Sequence, residues 1–233
     1  MPFNAPANLT QLLLDQAKTW GTTLAGIAQI AQLKRAPSYV AGGTGRLISP
    51  EIQSVLVLAL AHEHTHPELD WWDGEGGNTP GNRQLTQIAQ RIKQWLTEEW
   101  GIGAELAPYQ IQEGGIYLKD AGALAGLGII GKNNLLITPE YGPQVRLRAL
   151  FLAAKLDSTG PIDFDPCSTC EQPCLSACLQ HAFRGGRYSR TACSIQMMID
   201  ESRPTNVQDD MMPRRVIRYC RACEWACPVG QSA

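Results

Sequence analysis

Eight cysteines carry the chemistry of this sequence, and all lie in its last third: Cys167, Cys170, Cys174, Cys178, Cys193, Cys220, Cys223 and Cys227. The first four form a C-x2-C-x3-C-x3-C run. The last three form C-x2-C-x3-C followed by Pro228, and Cys193 stands alone between the two groups. The C-x2-C spacing lets one tight turn present two sulfurs to neighbouring metal atoms while its N–H groups point at them. Eight thiolates meet the full requirement of two [4Fe–4S] clusters at four each. Where two such clusters share a chain, the cysteine that closes each run ligates the other cluster. On that rule Cys167, Cys170, Cys174 and Cys227 hold cluster 1, and Cys178, Cys193, Cys220 and Cys223 hold cluster 2. Structural zinc is the alternative, since four-cysteine zinc sites also use C-x2-C pairs. The prolonged runs and the Cys-Pro ending favour iron–sulfur.

The rest of the composition narrows the setting. The chain has 233 residues, 44% hydrophobic and 18% charged, enough for one large domain or two small ones and too apolar for disorder. Its 20 basic and 22 acidic residues leave a net charge of −2, without the basic excess usual in a dedicated nucleic-acid binder. No apolar run approaches the ~20 residues that span a bilayer. The first 21 residues lack a basic leader and read as an amphipathic helix rather than an export signal. Cysteines crowded into one region of an unexported chain point to a reducing, cytoplasmic compartment and metal ligation rather than disulfides.

The elements that must position the thiols alternate helix and strand. Leu9, Leu12, Leu13 and Trp20 keep helical spacing after Asn8, a residue suited to an N-cap. Residues 24–30 and 55–61 read as strands, the second (VLVLALA) apolar throughout and so expected to be buried on both faces. Thr79-Pro80 is expected to start a helix with Leu85, Ile88, Ile92, Trp95 and Leu96 on one stripe and Gly101 as its stop, after a Gly-rich loop over 73–81. A short helix over 119–127 and strands over 135–138 and 145–153 complete an α/β domain spanning 1–160. The turn-rich stretch 157–166 marks the boundary to a small domain, 161–233, in which Arg replaces Lys entirely and metal bonds substitute for apolar area.

These residues resemble a known family. A lone cysteine (Cys193) ahead of Cys220-x2-Cys223-x3-Cys227-Pro228 resembles the ferredoxin module of epoxyqueuosine reductase, a module that reductive dehalogenases share. The stretch from Pro161 to Phe164, PIDF, is similar to the dehalogenases. Ala125-Gly126-Leu127-Gly128-Ile129-Ile130-Gly131-Lys132-Asn133 resembles the AGLGxxGK segment of the epoxyqueuosine reductase catalytic domain, and weaker similarity reaches back to the first helix. The resemblance implies an α+β fold: a nitroreductase-like domain followed by a two-cluster ferredoxin-like domain, with a cobalamin held between them near one cluster. It implies electrons entering through the clusters from a donor such as ferredoxin or flavodoxin and reducing cobalt, the cofactor carrying the hard chemistry. Gly126, Leu127, Gly128, Gly131, Lys132 and Asn133 are then the cofactor-contacting residues, with Lys132 placed to meet an anionic group. Read without the family, the same segment is equally a helix end turning into the next strand.

The resemblance places a catalytic Asp shortly before the AGLG segment, where this chain reads QIQEGG over 110–115; either Glu113 is a shifted acid or that proton donor is absent. Tyr117 and Lys119 are further proton donors, although with Asp120 they also read as the first turn of a solvated helix. The family's tRNA-modifying enzymes continue into a helical-repeat domain beyond the second cysteine run. This chain reads as a short form acting on a small-molecule substrate or a corrinoid protein, with tRNA an unexpected partner and no membrane association.

Other groups have a chemical reading and a plainer one. His62, His64 and His66 share one face if the 55–61 strand continues, a metal-ligand arrangement; a polar strand end facing solvent is the plainer reading. Arg214, Arg215, Arg218 and Arg221 fall near one helical face and would dock an acidic donor, or pair with Asp209 and Asp210. Trp71 and Trp72 read as packing. The function expected is an iron–sulfur oxidoreductase delivering low-potential electrons to a cobalamin or substrate. The alternatives are an electron carrier or reductive activator for a partner protein, and a flavin enzyme on the same fold.

Overall fold

The structure, a computed structural model, describes residues 8–42, 48–62, 65–74, 78–208 and 214–231. Helix α1 (Leu9–Thr19) leads into β1 (Leu24–Gln29), the short helices α2 (Ile30–Leu33) and α3 (Pro37–Gly42), β2 (Ser54–Ala61) and the 21-residue α4 (Pro80–Trp100). Then come β3 (Ala104–Leu106), α5 (Leu118–Leu124), the two-residue strands β4 (Ile129–Ile130) and β5 (Leu136–Ile137), and β6 (Val145–Leu152). The cysteine-bearing remainder contributes α6 (Pro173–Ser176), α7 (Arg190–Glu201), β7 (Thr205–Val207), β8 (Arg214–Val216) and α8 (Ala222–Trp225).

The chain forms two compact units, one of Met1–Leu60, Gln84–Ile129 and Arg146–Phe164, the other of Ala61–Arg83, Ile130–Val145 and Asp165–Ala233. The last crossing between these units falls at 164/165, and 61–83 and 130–145 count with the cysteine-bearing one. The physical reason is the poverty of the cysteine region. Its α7 buries none of its twelve residues. Short segments borrowed from earlier in the chain supply the apolar and polar partners that it lacks.

The first unit is built on a sheet of order β1-β2-β6-β3. β1 runs antiparallel to β2, with Leu24 opposite Ala59 and Gln29 opposite Ser54, and β3 runs antiparallel to β6. Leu56, Leu58 and Leu60 of β2 join Ile27, Leu150 and Leu152 in a core closed by Leu9, Leu13 and Ala17 of α1 and Leu85, Ile88, Ile92 and Leu96 of α4. Val55, Val57 and Ala59, on the opposite face of β2, are just as buried, which is why the strand is apolar at every position.

Helix α4 begins and ends where its sequence signals stand. Thr79 Oγ1 accepts the Asn82 N–H at 3.3 Å, Pro80 is its first residue, and Gly101 takes a left-handed φ of 60° just past its end. At α1 the expectation fails in part. Asn8 occupies the N-cap position, but its side chain makes no capping bond.

The AGLG segment is first of all a helix stop. Gly126 adopts φ +75° after α5, its N–H bonds the Ala123 carbonyl at 3.1 Å, and the Leu127 N–H reaches back to Gly122 at 2.9 Å. That pattern is a Schellman motif. A Cβ at Gly126 would lie 2.7 Å from the Thr159 carbonyl oxygen, so the position needs glycine for space as well as for φ. Thr159 Oγ1 donates to the Ala125 carbonyl at 2.6 Å and accepts the Ile27 N–H at 2.8 Å, clipping the end of α5 to β1.

Truncating the core tests this packing. Leu58→Ala should cost about 2–5 kcal/mol, whereas Val40→Ala, exposed on α3, should stay within about 0.5 kcal/mol of the parent. Urea denaturation followed by far-UV circular dichroism measures both.

Candidate metal centre

All eight cysteines are free thiols, and the second unit gathers them all. Their electrostatic neighbourhoods fall into two sets. Burial pushes the Cys174 thiol up from its ordinary value, and Cys227, Cys167 and Cys170 push it further. Cys227 is raised by burial and by Cys167 and Cys170, against a lowering hydrogen bond from the Val229 backbone. Cys220 is raised by burial, opposed by a backbone bond from Ala222, with Asp200, Cys178 and Cys193 adding to the rise. Burial carries Cys223 to about 12, assisted by Cys220, Cys178, Glu224 and Cys193. Each set of four thus has one thiol or more from each end of the cysteine region. Among the described residues no three His, Cys, Asp or Glu converge tightly enough to hold a single metal ion.

Local backbone explains how the sulfurs are presented. Gln172 and His181 adopt left-handed φ values of 60° and 49°, which cost non-glycine residues strain. The Gln172 N–H points at Cys170 Sγ at 3.3 Å, and one residue past His181 the Ala182 N–H points at Cys178 Sγ at 3.2 Å. Such donors favour the ionised sulfur. The Cys220 N–H is held by Asp200 at 2.7 Å, and the Tyr219 hydroxyl by Glu201 at 2.9 Å, so the end of α7 braces the start of the second run.

Two braces come from residues that the cysteine spacing does not reveal. Asn133 donates to the Cys223 carbonyl at 3.3 Å while its Oδ1 accepts the Leu135 N–H. The backbone at Tyr141-Gly142 lies against Val229-Gly230, just past Cys227: a Cβ on Gly142 (φ +54°) would stand 1.9 Å from the Val229 carbonyl oxygen, and one on Gly230 2.3 Å from Tyr141.

Beside the second run sits a buried charged network. His62, Asp70 and Glu224 are each less than a tenth exposed. The Arg221 guanidinium bonds Asp70 at 2.7 Å and Glu224 at 3.0 Å, and His62 pairs with Asp70 through Nδ1 while its Nε2 lies 3.7 Å from Glu224. Two carboxylates about one guanidinium, out of water, make each member costly to remove, by about 3–5 kcal/mol.

The network corrects two sequence expectations. β2 ends at Ala61, so neither His62 nor His66 lies on its face. His62 is buried in an ion pair, His66 is exposed ahead of the 3-10 turn Pro67–Asp70, and His64 lies outside the described residues. The four arginines share no helix face either. Arg214 and Arg215 lie in β8, Arg218 stacks on Trp71 at 4.2 Å, and Arg221 is spent in the network. Asp209 and Asp210 lie outside the described residues. Trp71 packs as expected. Trp72 bridges Ile217 through its backbone and also borders a cleft of about 340 Å³ with Asp73, Glu201 and Arg215.

The expected cofactor-contacting residues are largely committed elsewhere. Gly126 serves the helix stop, and Leu127 and Gly128 are buried. A Cβ on Gly131 would meet Ile137 at 2.6 Å. Asn133 holds the Cys223 loop, and of the six Lys132 is exposed. Glu113 is exposed on the 3-10 turn Ile111–Glu113, and Lys119 is half-buried. Tyr117 joins a group that the sequence did not announce. Its ring meets Tyr39 edge-on at 5.5 Å, and the buried Tyr39 hydroxyl is raised by burial and then by Asp120 and Tyr117.

Comparison with known proteins places this geometry. No family model matches the chain. An epoxyqueuosine reductase from Synechococcus sp. (strain RCC307) is 27% identical over 258 residues, covering 97% of this chain and 76% of the relative. Among solved structures, epoxyqueuosine reductase with an epoxyqueuosine-modified tRNA-Tyr stem loop superposes with TM-score 0.68 at 18% identity, over 97% of this chain and 66% of that one. A catabolic reductive dehalogenase in complex with 3-bromo-4-hydroxybenzoic acid superposes with TM-score 0.59 at 16% identity, over 77% of this chain and 26% of that one. In sequence the chain is similar to epoxyqueuosine reductases, and its fold is similar to theirs and to that of the reductive dehalogenase. It spans about two thirds of the solved epoxyqueuosine reductase.

Two measurements test the site. Gly142→Ala should destabilise the second unit by about 3 kcal/mol or more, whereas Gly185→Ala, also at positive φ but in open space, should cost only about 1–2 kcal/mol; thermal unfolding distinguishes them. A thiol raised in the folded state stabilises fully below its ordinary value and loses that contribution as pH climbs through the folded value. Metal-free protein should therefore lose near-UV circular dichroism as pH rises from 9 toward 12, the window opened by Cys223.

Proposed function

We propose that this protein is an iron–sulfur oxidoreductase of the epoxyqueuosine reductase type. In this reading a nitroreductase-like domain is joined to a ferredoxin-like domain that carries two [4Fe–4S] clusters. Cys167, Cys170, Cys174 and Cys227 hold one cluster, and Cys178, Cys193, Cys220 and Cys223 the other. The observation that carries the proposal is the division of the thiols into two neighbourhoods: Cys174 and Cys227 share Cys167 and Cys170 as electrostatic neighbours, and Cys220 and Cys223 share Cys178 and Cys193. Four sulfurs about a single zinc would stand about 3.8 Å apart. A cubane, with an iron at each corner that takes a sulfur, asks for a wider set.

Bound iron would replace the protons of the ligating thiols and compensate the charge of the thiolates that result. A cobalamin fits the residues present in one respect: Lys132 is exposed and suited to the phosphate of the cofactor's nucleotide loop. When bound it would supply a low-potential cobalt centre for the reduction. Of the tentative proton donors, Tyr117 is the one set in a packed group with Tyr39 and Asp120, and we assign the proton to that group.

The substrate we propose is a small molecule or a corrinoid protein, on the ground of the balanced charge. The solved relative with its tRNA stem loop argues the other way, and binding of such a stem loop decides between them. The second reading, an electron carrier or activator for a partner, is favoured by the exposure of Glu113, which leaves the expected acid without a pocket.

Anaerobic reconstitution followed by metal analysis should give about eight irons per chain, with cubane signals in electron paramagnetic resonance after reduction. Zinc in place of iron, or far fewer irons, overturns the proposal. Cob(II)alamin added to the loaded protein should change its cobalt resonance, and an unchanged signal at saturating protein removes the corrinoid.

A further inference from the structure

The loop between the first cysteine run and α7 reads RGGRYSR, and it places Arg184, Arg187 and Arg190 within seven residues. All three are exposed, and among the described residues none makes an ion pair. Of the other arginines of the region, Arg214 faces Asp73, Arg218 stacks on Trp71 and Arg221 is held in the network, while Arg203 and Arg215 are exposed as well. What sets the loop apart is density: three solvent-facing cations within seven residues of a chain whose net charge is −2.

The loop is held in shape from within. Phe183 is buried at its base and packs against Tyr188 at 5.7 Å. The Ser189 N–H bonds the Ala182 carbonyl at 2.7 Å, and Ser189 Oγ accepts the Ala192 N–H to start α7. Gly185 and Gly186 take φ of +80° and +75° with open space where a Cβ would be, so glycine is required there by conformation alone. Tyr188 stands among the arginines, 39% exposed, and its side chain is hydrogen-bonded to Cys193. One side chain thus touches both the solvent and a thiol assigned to the second cluster. Leu179, 63% exposed and five residues ahead of Arg184, adds an apolar contact.

We propose that Arg184, Arg187, Arg190, Tyr188 and Leu179 form the docking surface for an acidic one-electron carrier protein that delivers electrons beside Cys193. The proposal deepens the function argued above, since it names where electrons enter. Charge complementarity selects the occupant: arginine and tyrosine with a single exposed aliphatic residue is an interface composition, and redox encounters occupy small interfaces below about 1,200 Å². An RNA would ask for a longer basic track than three residues on a chain of balanced charge. Long-range attraction then raises the encounter rate and is screened by salt.

The test uses the full chain, reconstituted anaerobically, with an acidic flavodoxin as probe. Binding of the oxidised flavodoxin is measured by calorimetry. Electron transfer from its hydroquinone is followed by stopped flow across a salt series, with dithionite as a reductant that needs no docking. Arg184→Gln/Arg187→Gln/Arg190→Gln should weaken binding and slow the second-order transfer about tenfold or more at low salt, flatten the salt dependence, and leave dithionite reduction unchanged. Arg187→Gln alone should show a smaller loss in the same direction. A parental rate that ignores salt, or a triple variant that binds and accepts electrons like the parent, overturns the surface. So does a variant that loses only the binding of a tRNA stem loop, which would make the loop an RNA contact. Failure to assemble clusters would defeat the iron–sulfur reading instead, and flavodoxin binding would still judge the loop.

Discussion

The second unit has too little apolar surface to hold itself together. Its buried apolar residues among those described are Leu136, Ile137, Ala182, Phe183 and Val216, with Cys174 and Cys227. The first unit, by contrast, closes a sheet between two amphipathic helices. What the second unit has in place of a core is sulfur. Burial, and then the neighbouring thiols, raise Cys174, Cys220, Cys223 and Cys227, an arrangement unfavourable for free thiolates and favourable for thiolates bound to metal. Much else described here follows from that constraint: left-handed non-glycine residues beside the sulfurs, N–H groups aimed at them, and braces brought in from distant sequence.

Those braces decide how much of the molecule the sequence discloses. The apolar run of β2, the Thr79-Pro80 start and Gly101 stop of α4, and the helix end at Gly126 are local signals, and a reader of the sequence meets them in order. The contacts between His62 and Arg221, Asn133 and Cys223, and Gly142 and Val229 join residues far apart in the chain. No periodicity announces them. His62 was the residue most open to misreading. Its neighbours His64 and His66 suggest a metal triad, whereas its own partners are Asp70 and Arg221, which no local pattern connects. Tyr39 likewise becomes visible only when its ring meets Tyr117. Helix α7 carries Ile195, Met198 and Ile199 but buries none of its residues, so its apolar positions do not mark a core.

The charges show a division of labour of the same kind. In the cysteine region arginine is the only basic residue of the sequence besides His181, and its copies are used in different ways. Arg221 neutralises buried carboxylates, Arg218 lies on an indole ring, and Arg184, Arg187 and Arg190 remain in solvent. A planar, permanently charged guanidinium suits all three settings, where a flexible ammonium would suit the last alone.

The course of the chain has a consequence for how such a protein changes over time. It passes from one unit to the other at 60/61, 83/84, 129/130, 145/146 and 164/165. A gene fragment that begins at the first cysteine would leave behind His62, Asp70, Asn133 and Gly142, and with them the struts of the scaffold around the sulfurs. The cysteine region is thus no interchangeable cassette. The residues that brace the sulfurs are encoded between strands and helices of the other unit, so no single contiguous stretch of gene carries the whole scaffold.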